Sequence, residues 1–203
     1  GQVYIIFGSI GDGPSSPSGV TAFNRLFFVG AENDGAGQVV SGAGDFNNDG
    51  FDDVIISAAN GDSDGSVFVF RQYVLFGSSG AAGTFVTVNS ADGSLNPSSA
   101  GFTITGGQIE RFAPAGDFNG DGISDILLAA PQQTDQSIPN AGVAWVLFGS
   151  SEAFPTFFNI ANNLTETNGF RIQGPAKSSG ALTDEEGENI GWAIDGGGKD
   201  FNR

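Results

Sequence analysis

One acidic hexapeptide occurs twice in this chain. Asp45-Phe46-Asn47-Asn48-Asp49-Gly50 returns 72 residues later as Asp117-Phe118-Asn119-Gly120-Asp121-Gly122, and a third copy opens at Asp200-Phe201-Asn202. A repeat at this interval constrains the fold more than any other feature. It calls for one supersecondary unit built several times, with the core buried between neighbouring units. Two further landmarks keep the same order. An apolar run ending in Phe-Gly spans residues 3–8, 73–77 and 144–149, and an outer segment of Gly-Phe-x-Ile character spans 26–30, 101–106 and 169–174.

Each unit reads as strands. Val39-Val40 and Phe112-Ala113 lead into the acidic loops, and Val54-Ile55-Ile56 and Ile126-Leu127-Leu128 leave them. Short continuous runs of β-branched and aliphatic residues suit strands buried on both faces. A Gly/Asp/Asn turn at Asn60-Gly61-Asp62 then leads to the Phe-Gly strand. The alternating Gly-Phe-x-Ile strand is expected at the outer, half-exposed edge. Residues 183–186 are the only stretch that could hold a helical turn. The expected fold is all-β, with blades of four antiparallel strands every ~70 residues, the pattern of a β-propeller, which closes with ~4–8 blades. Two complete blades (39–106 and 109–174) are expected between two partial ones (1–30 and 188–203). Four blades at this period would need more than the 203 residues present. The chain alone is therefore expected to leave its ring open, to expose strand edges that favour association, and to have no natural end at either terminus.

Composition narrows the chemistry. With neither Cys nor His, disulfides, thiolate nucleophiles, His-based acid–base catalysis and sulfur- or nitrogen-ligated zinc are excluded. The 23 acidic and 7 basic side chains give a net charge of −16. Such a chain repels nucleic acids and anionic membranes and attracts cations, and no apolar run approaches the ~18 residues of a membrane span. Gly196-Gly197-Gly198-Lys199 lacks the first glycine and the Ser/Thr of a phosphate loop. Asn163-Leu164-Thr165 is a glycosylation sequon with meaning only in a eukaryotic host. Trp145 and Trp192 suit core or inter-blade packing better than ligand stacking.

The acidic loops carry the strongest functional signal. Asp45, Asn47, Asp49 and Asp53 occupy loop positions 1, 3, 5 and 9, as do Asp117, Asn119, Asp121 and Asp125. Alternate oxygen side chains in a tight loop converge, Gly50 and Gly122 at position 6 permit the turn, and Phe51 and Ile123 at position 7 can present carbonyls. This is an EF-hand-like Ca²⁺ loop shortened to end at position 9. Hard oxygen donors with three carboxylates favour Ca²⁺ over softer metals. The competing reading is a plain Asp/Asn/Gly turn without metal. A full EF-hand or dockerin loop is excluded, because position 12 is Ile56 or Leu128, each within a strand.

Taken together, Gly44-Asp45-Phe46-Asn47-Asn48-Asp49-Gly50, the Gly-rich turn and the Phe-Gly strand resemble FG-GAP repeats, the blades of integrin α-subunit propellers and of many bacterial surface or secreted proteins. The resemblance implies a seven-bladed propeller in the parent protein. It also implies Ca²⁺ ligands at Asp45, Asn47, Asp49, Phe51 (carbonyl) and Asp53, and at Asp117, Asn119, Asp121, Ile123 (carbonyl) and Asp125. An incomplete third site would involve Asp200 and Asn202. The departures are Ser57-Ala58-Ala59 in place of a Gly-Ala-Pro element, kept only as Pro131 in the second unit, and Lys199 where Gly44 and Gly116 stand. The expected function is an extracellular or cell-surface adhesion, recognition or assembly module, bacterial in origin. It would be non-catalytic and contact protein, glycan or further copies through residues 8–24, 77–100 and 149–168. The alternatives are an accessory or catalytic propeller domain of a secreted hydrolase or lyase, and a structural subunit of a surface filament or layer.

Overall fold

The computed structural model describes residues 1–6, 25–32, 34–61, 68–79, 85–135 and 141–173. The structure there is all-β apart from one 3-10 turn (Ser98–Ala100). The strands are β1 (Gln2–Ile6), β2 (Arg25–Val29), β3 (Val40–Gly44), β4 (Asp53–Gly61), β5 (Phe68–Leu75), β6 (Phe85–Val88) and β7 (Leu95–Asn96). They continue with β8 (Gly101–Thr105), β9 (Arg111–Gly116), β10 (Asp125–Ala130), β11 (Val143–Leu147), β12 (Phe157–Asn159) and β13 (Gly169–Gln173). They form three sheets, ordered β1-β2-β6-β7, β3-β4-β5-β8-β12 and β9-β10-β11-β13. Among the described residues, no helix is long and apolar enough to cross a membrane.

Strand alternation distributes the core. Side chains along a strand point to opposite faces in turn, so the second sheet has two apolar faces. Ile55, Val74, Phe102 and Ile104 join Ile126, Leu128, Val143, Trp145 and Leu147 of the third sheet in one buried cluster. Ile56, Tyr73 and Leu75 face the other way and join Leu26, Phe28, Val86 and Val88 of the first sheet in a second cluster. This double burial is the physical reason that β4 and β5 read as continuous apolar runs. Trp145 is buried between the second and third sheets, as its sequence context suggested. The buried Gln72 crosses that interface, donating from Nε2 to the Ile109 carbonyl at 3.0 Å.

Three expectations need correction. Asn60 and Gly61, read as part of a turn, lie within β4 opposite Val69 and Phe68. The Gly-Phe-x-Ile strand is not the outer edge in the first two sheets, and not every sheet is a four-stranded antiparallel one. β6 lies parallel on β2 (Phe28 opposite Val86), and β12 lies parallel on β8 (Ile104 opposite Phe158), which makes the second sheet five-stranded. The residues of the added strands come from 77–100 and 149–168, stretches that the sequence presents as variable connectors. Val86 and Phe158 are in fact buried. A connector that hides an apolar residue in the neighbouring sheet is a structural strap, and Ser- and Asn-rich flanks conceal the short apolar core of each strap. The stretch 8–24, Trp192, the Gly196–Lys199 run, the 183–186 turn and the third acidic copy all lie outside the described residues.

Candidate metal centre

Both acidic loops join the first two strands of a sheet, β3 to β4 and β9 to β10. Each is entered through a bulge, where the ladder slips a residue between Gly42 and Gly44 or at Asp125/Ile126. A bulge bends the strand and re-aims the chain, which turns Asp45 and Asp117 into the loop. Gly50 and Gly122 take φ of +90° and +89°, a region that side chains disfavour. Position 4 has the same left-handed turn by two routes: Asn48 at φ 57° in the first loop and Gly120 at φ 81° in the second.

The loops fold on their own side-chain oxygens. In the first, Asp45 accepts the Asp49 and Gly50 amides through Oδ1 and Oδ2, each at 2.9 Å. Asn47 Oδ1 accepts the Asp49 amide at 3.1 Å, its Nδ2 donates to Asp49 Oδ2 at 2.9 Å, and Asp49 Oδ1 accepts the Phe51 amide at 3.0 Å. In the second, Asp117 accepts the Gly120 and Gly122 amides at 2.8 and 2.9 Å. Asn119 and Asp121 reproduce the remaining contacts: Asn119 Oδ1 accepts the Asp121 amide, Asn119 Nδ2 donates to Asp121 Oδ2, and Asp121 Oδ1 accepts the Ile123 amide. Positions 1, 3 and 5 are thus gathered around one short run of peptides in each loop.

Position 9 behaves differently. Asp53 and Asp125 sit beneath the loops at 1% and 0% exposure. Asp53 Oδ2 accepts the Phe46 and Asn47 amides at 2.9 and 3.3 Å, and its Oδ1 accepts the Gly77 amide at 2.8 Å. Asp125 accepts Phe118, Asn119 and Gly149 in the same way, at 2.7, 3.3 and 2.9 Å. Burial pushes the Asp53 carboxyl up to about 6; the three amides pull against it and the charge of Asp49 adds to the rise. Asp125 is raised for the same reasons, with Asp121 as the like charge. Desolvation outweighs the hydrogen bonds in both.

These contacts explain the Phe-Gly signature, whose role the residues alone did not disclose. A Cβ on Gly77 would lie 2.5 Å from the Asp52 carbonyl oxygen and 2.9 Å from Phe51 Cβ. On Gly149 it would collide with the Ser124 carbonyl and lie 2.7 Å from that of Phe46. Only glycine brings its amide within reach of the buried carboxylate. The signal was present as glycine at the same place in each apolar run, but its cause is a backbone approach that no spacing reveals.

Among the described residues, no three acidic side chains form a preformed cage. The donor set nevertheless suits a hard cation: carboxylate, amide and carbonyl oxygens, with no sulfur or nitrogen ligand. An ionised carboxylate has about four acceptor positions, so those at positions 1 and 5 keep lone pairs beyond the amides that they accept. In each loop the like charge at position 5 already opposes ionisation at position 9.

Comparison with known proteins bears on this geometry. The family model of the FG-GAP repeat matches residues 36–70 and 112–147. The chain carries two FG-GAP repeats. Both matches begin just ahead of an acidic loop and run into the Phe-Gly strand, so they enclose the loop and the buried aspartate. Among curated proteins, phosphatidylinositol-glycan-specific phospholipase D of Bos taurus is 26% identical over 117 residues, which covers 53% of this chain. The aligned stretch is 12% of that protein's own length.

Proposed function

We propose that the chain is a Ca²⁺-stabilised, non-catalytic FG-GAP propeller segment serving adhesion, recognition or assembly outside the cell. The observation that carries the reading is the duplicated loop: two sets of three carboxylates, one amide and one carbonyl, held by hydrogen-bond schemes that differ only in one amide accepted at position 1, with like charges opposed within each set. Asp45, Asn47, Asp49, the Phe51 carbonyl and Asp53 would hold one ion. Asp117, Asn119, Asp121, the Ile123 carbonyl and Asp125 would hold the second. A bound divalent cation supplies charge neutralisation there. The protein's own contribution is a turn already closed by its amides. Partners would be proteins or glycans at a cell surface, or further copies of the chain.

Calorimetric titration with Ca²⁺ tests the reading. Two ions per chain are expected, and one for Asp49→Ala. A site filled to 100 times its dissociation constant adds ~2.7 kcal/mol, so chelation should lower the melting temperature by several degrees. An identical melt with excess Ca²⁺ and with excess chelator would refute Ca²⁺ binding. The similarity to a phospholipase supports a second reading, an accessory or catalytic propeller domain of a secreted hydrolase or lyase. Turnover of phosphodiesters or glycans by the isolated chain, with and without metal, separates the two.

A further inference from the structure

The two acidic loops touch, and the contact runs through the backbone. The Phe46 amide donates to Asp53 Oδ2 at 2.9 Å, and the carbonyl of the same residue accepts the Ser150 amide at 2.9 Å. The residue before Ser150 is Gly149, whose amide donates to Asp125 Oδ1 at 2.9 Å. The buried aspartate of one sheet is therefore joined to that of the next by Phe46 and the Gly149-Ser150 pair. A second strap lies beside it: the Ser124 amide donates to the Asp45 carbonyl at 3.3 Å. Asp45 is position 1 of the first loop, and Ser124 lies between positions 7 and 9 of the second.

The packing around this relay leaves little slack. Phe46 is fully buried, stacked against Phe154 at 5.0 Å and Phe102 at 6.0 Å. A Cβ on Gly149 would meet the Phe46 carbonyl oxygen, and one on Gly44 would collide with Ser124 Oγ. A displacement of the first loop therefore moves a hydrogen-bond partner of the second. Densely packed interiors transmit such shifts.

We propose that the two loops are coupled, so that ordering or ligating one raises the affinity and order of the other. The metal arm of this inference rests on the Ca²⁺ reading above; the structural arm does not. Coupling between sites is reciprocal and typically amounts to 5–150-fold in affinity. The element with two arrangements is the loop itself, settled or splayed by repulsion among its carboxylates. The Phe46 peptide is what both loops bias.

The test has two arms on the same chain. In the first, Ca²⁺ alone is titrated into the wild type, Asp49→Ala, Asp121→Ala and Ser150→Pro. The last removes the amide that Phe46 accepts. Each single-loop variant should bind its remaining ion about fivefold or more weakly than the wild type does, and by the same factor in both directions. Ser150→Pro should make the sites independent. Two ions in the wild type with unchanged affinity in both single-loop variants would overturn the coupling while leaving Ca²⁺ binding intact. If the wild type binds no Ca²⁺, the Ca²⁺ reading fails and the second arm decides. There, metal-free hydrogen exchange is followed at the Phe118 and Gly149 amides in Asp53→Ala, a change confined to the first loop and the Gly77 amide of the same sheet. Faster exchange at both, with the β10–β11 ladder still protected, supports the relay. Exchange as slow as in the wild type overturns it. Because that arm needs no proline, a Ser150→Pro variant that does not fold still leaves a decisive measurement.

Discussion

Gly149→Ala puts the explanation of the Phe-Gly signature at risk. The added methyl group would overlap the Ser124 carbonyl oxygen and stand 2.7 Å from the Phe46 carbonyl oxygen and from Ile123 Cγ2. The two oxygens belong to the backbone and cannot rotate aside, so β11 must part from the loops. Overpacking of this kind costs about 1–3 kcal/mol. Parting also draws the Gly149 amide off Asp125, and a hydrogen bond to a charged group contributes about 1.5–3 kcal/mol. The sum is about 2.5–6 kcal/mol. In a chain of this size 1 kcal/mol shifts the melting temperature by about 2–4 °C, so a drop of about 5–24 °C is expected in a circular-dichroism melt. Gly50→Ala is the control. It also breaks a glycine, at φ +90°, but a Cβ there meets nothing within 4 Å. It carries only the conformational penalty of about 1–2 kcal/mol. A Gly149→Ala melt within 2 °C of the wild type, or a loss no larger than that of Gly50→Ala, would refute the close-approach argument.

Three further outcomes are expected. Without divalent cations, stability should fall as pH rises from about 4 to about 6. Burial pushes the Asp53 carboxyl from an ordinary 3.8 up to about 6, so the folded state holds the proton through that window; the effect is at most about 3 kcal/mol. Asp125 acts in the same direction, and urea midpoints against pH check both, a rise over that window counting against the assignment. Stabilisation by Ca²⁺ should grow over the same interval, because the ligand must be ionised; differential scanning calorimetry at pH 5 and pH 7 measures it, and equal shifts would count against Asp53 and Asp125 as ligands. Asn48→Ala should cost about 1 kcal/mol at its φ of 57°, and Asn48→Gly close to nothing; equal losses in chemical denaturation would contradict the strain.

The repeat, the all-β class, the strands on either side of each acidic loop and the positions of the carboxylates are legible in the residues. These are local properties: periodicity, β-branched runs and the turn residues that an acidic loop requires. The sequence also buries Trp145, in a core or between blades, since a large aromatic in a continuously apolar strand has no solvent face. The rest depends on contacts between distant parts of the chain. Asp49 and Asp53 look alike in sequence, yet one is exposed at the loop and the other is buried, because position 9 opens a strand that neighbours cover on both sides. Phe46 and Phe118 hold the same place in the same motif. Phe46 is fully buried against Phe154 of the next unit, whereas Phe118 is 36% exposed and leans on Phe170. β6 and β12 are illegible in the sequence because three or four residues of strand pattern are too short to stand out, and their burial comes from the sheet that receives them. A repeat fixes what each unit can do alone, whereas contacts between units are set by whatever the chain brings alongside, and no local pattern encodes them.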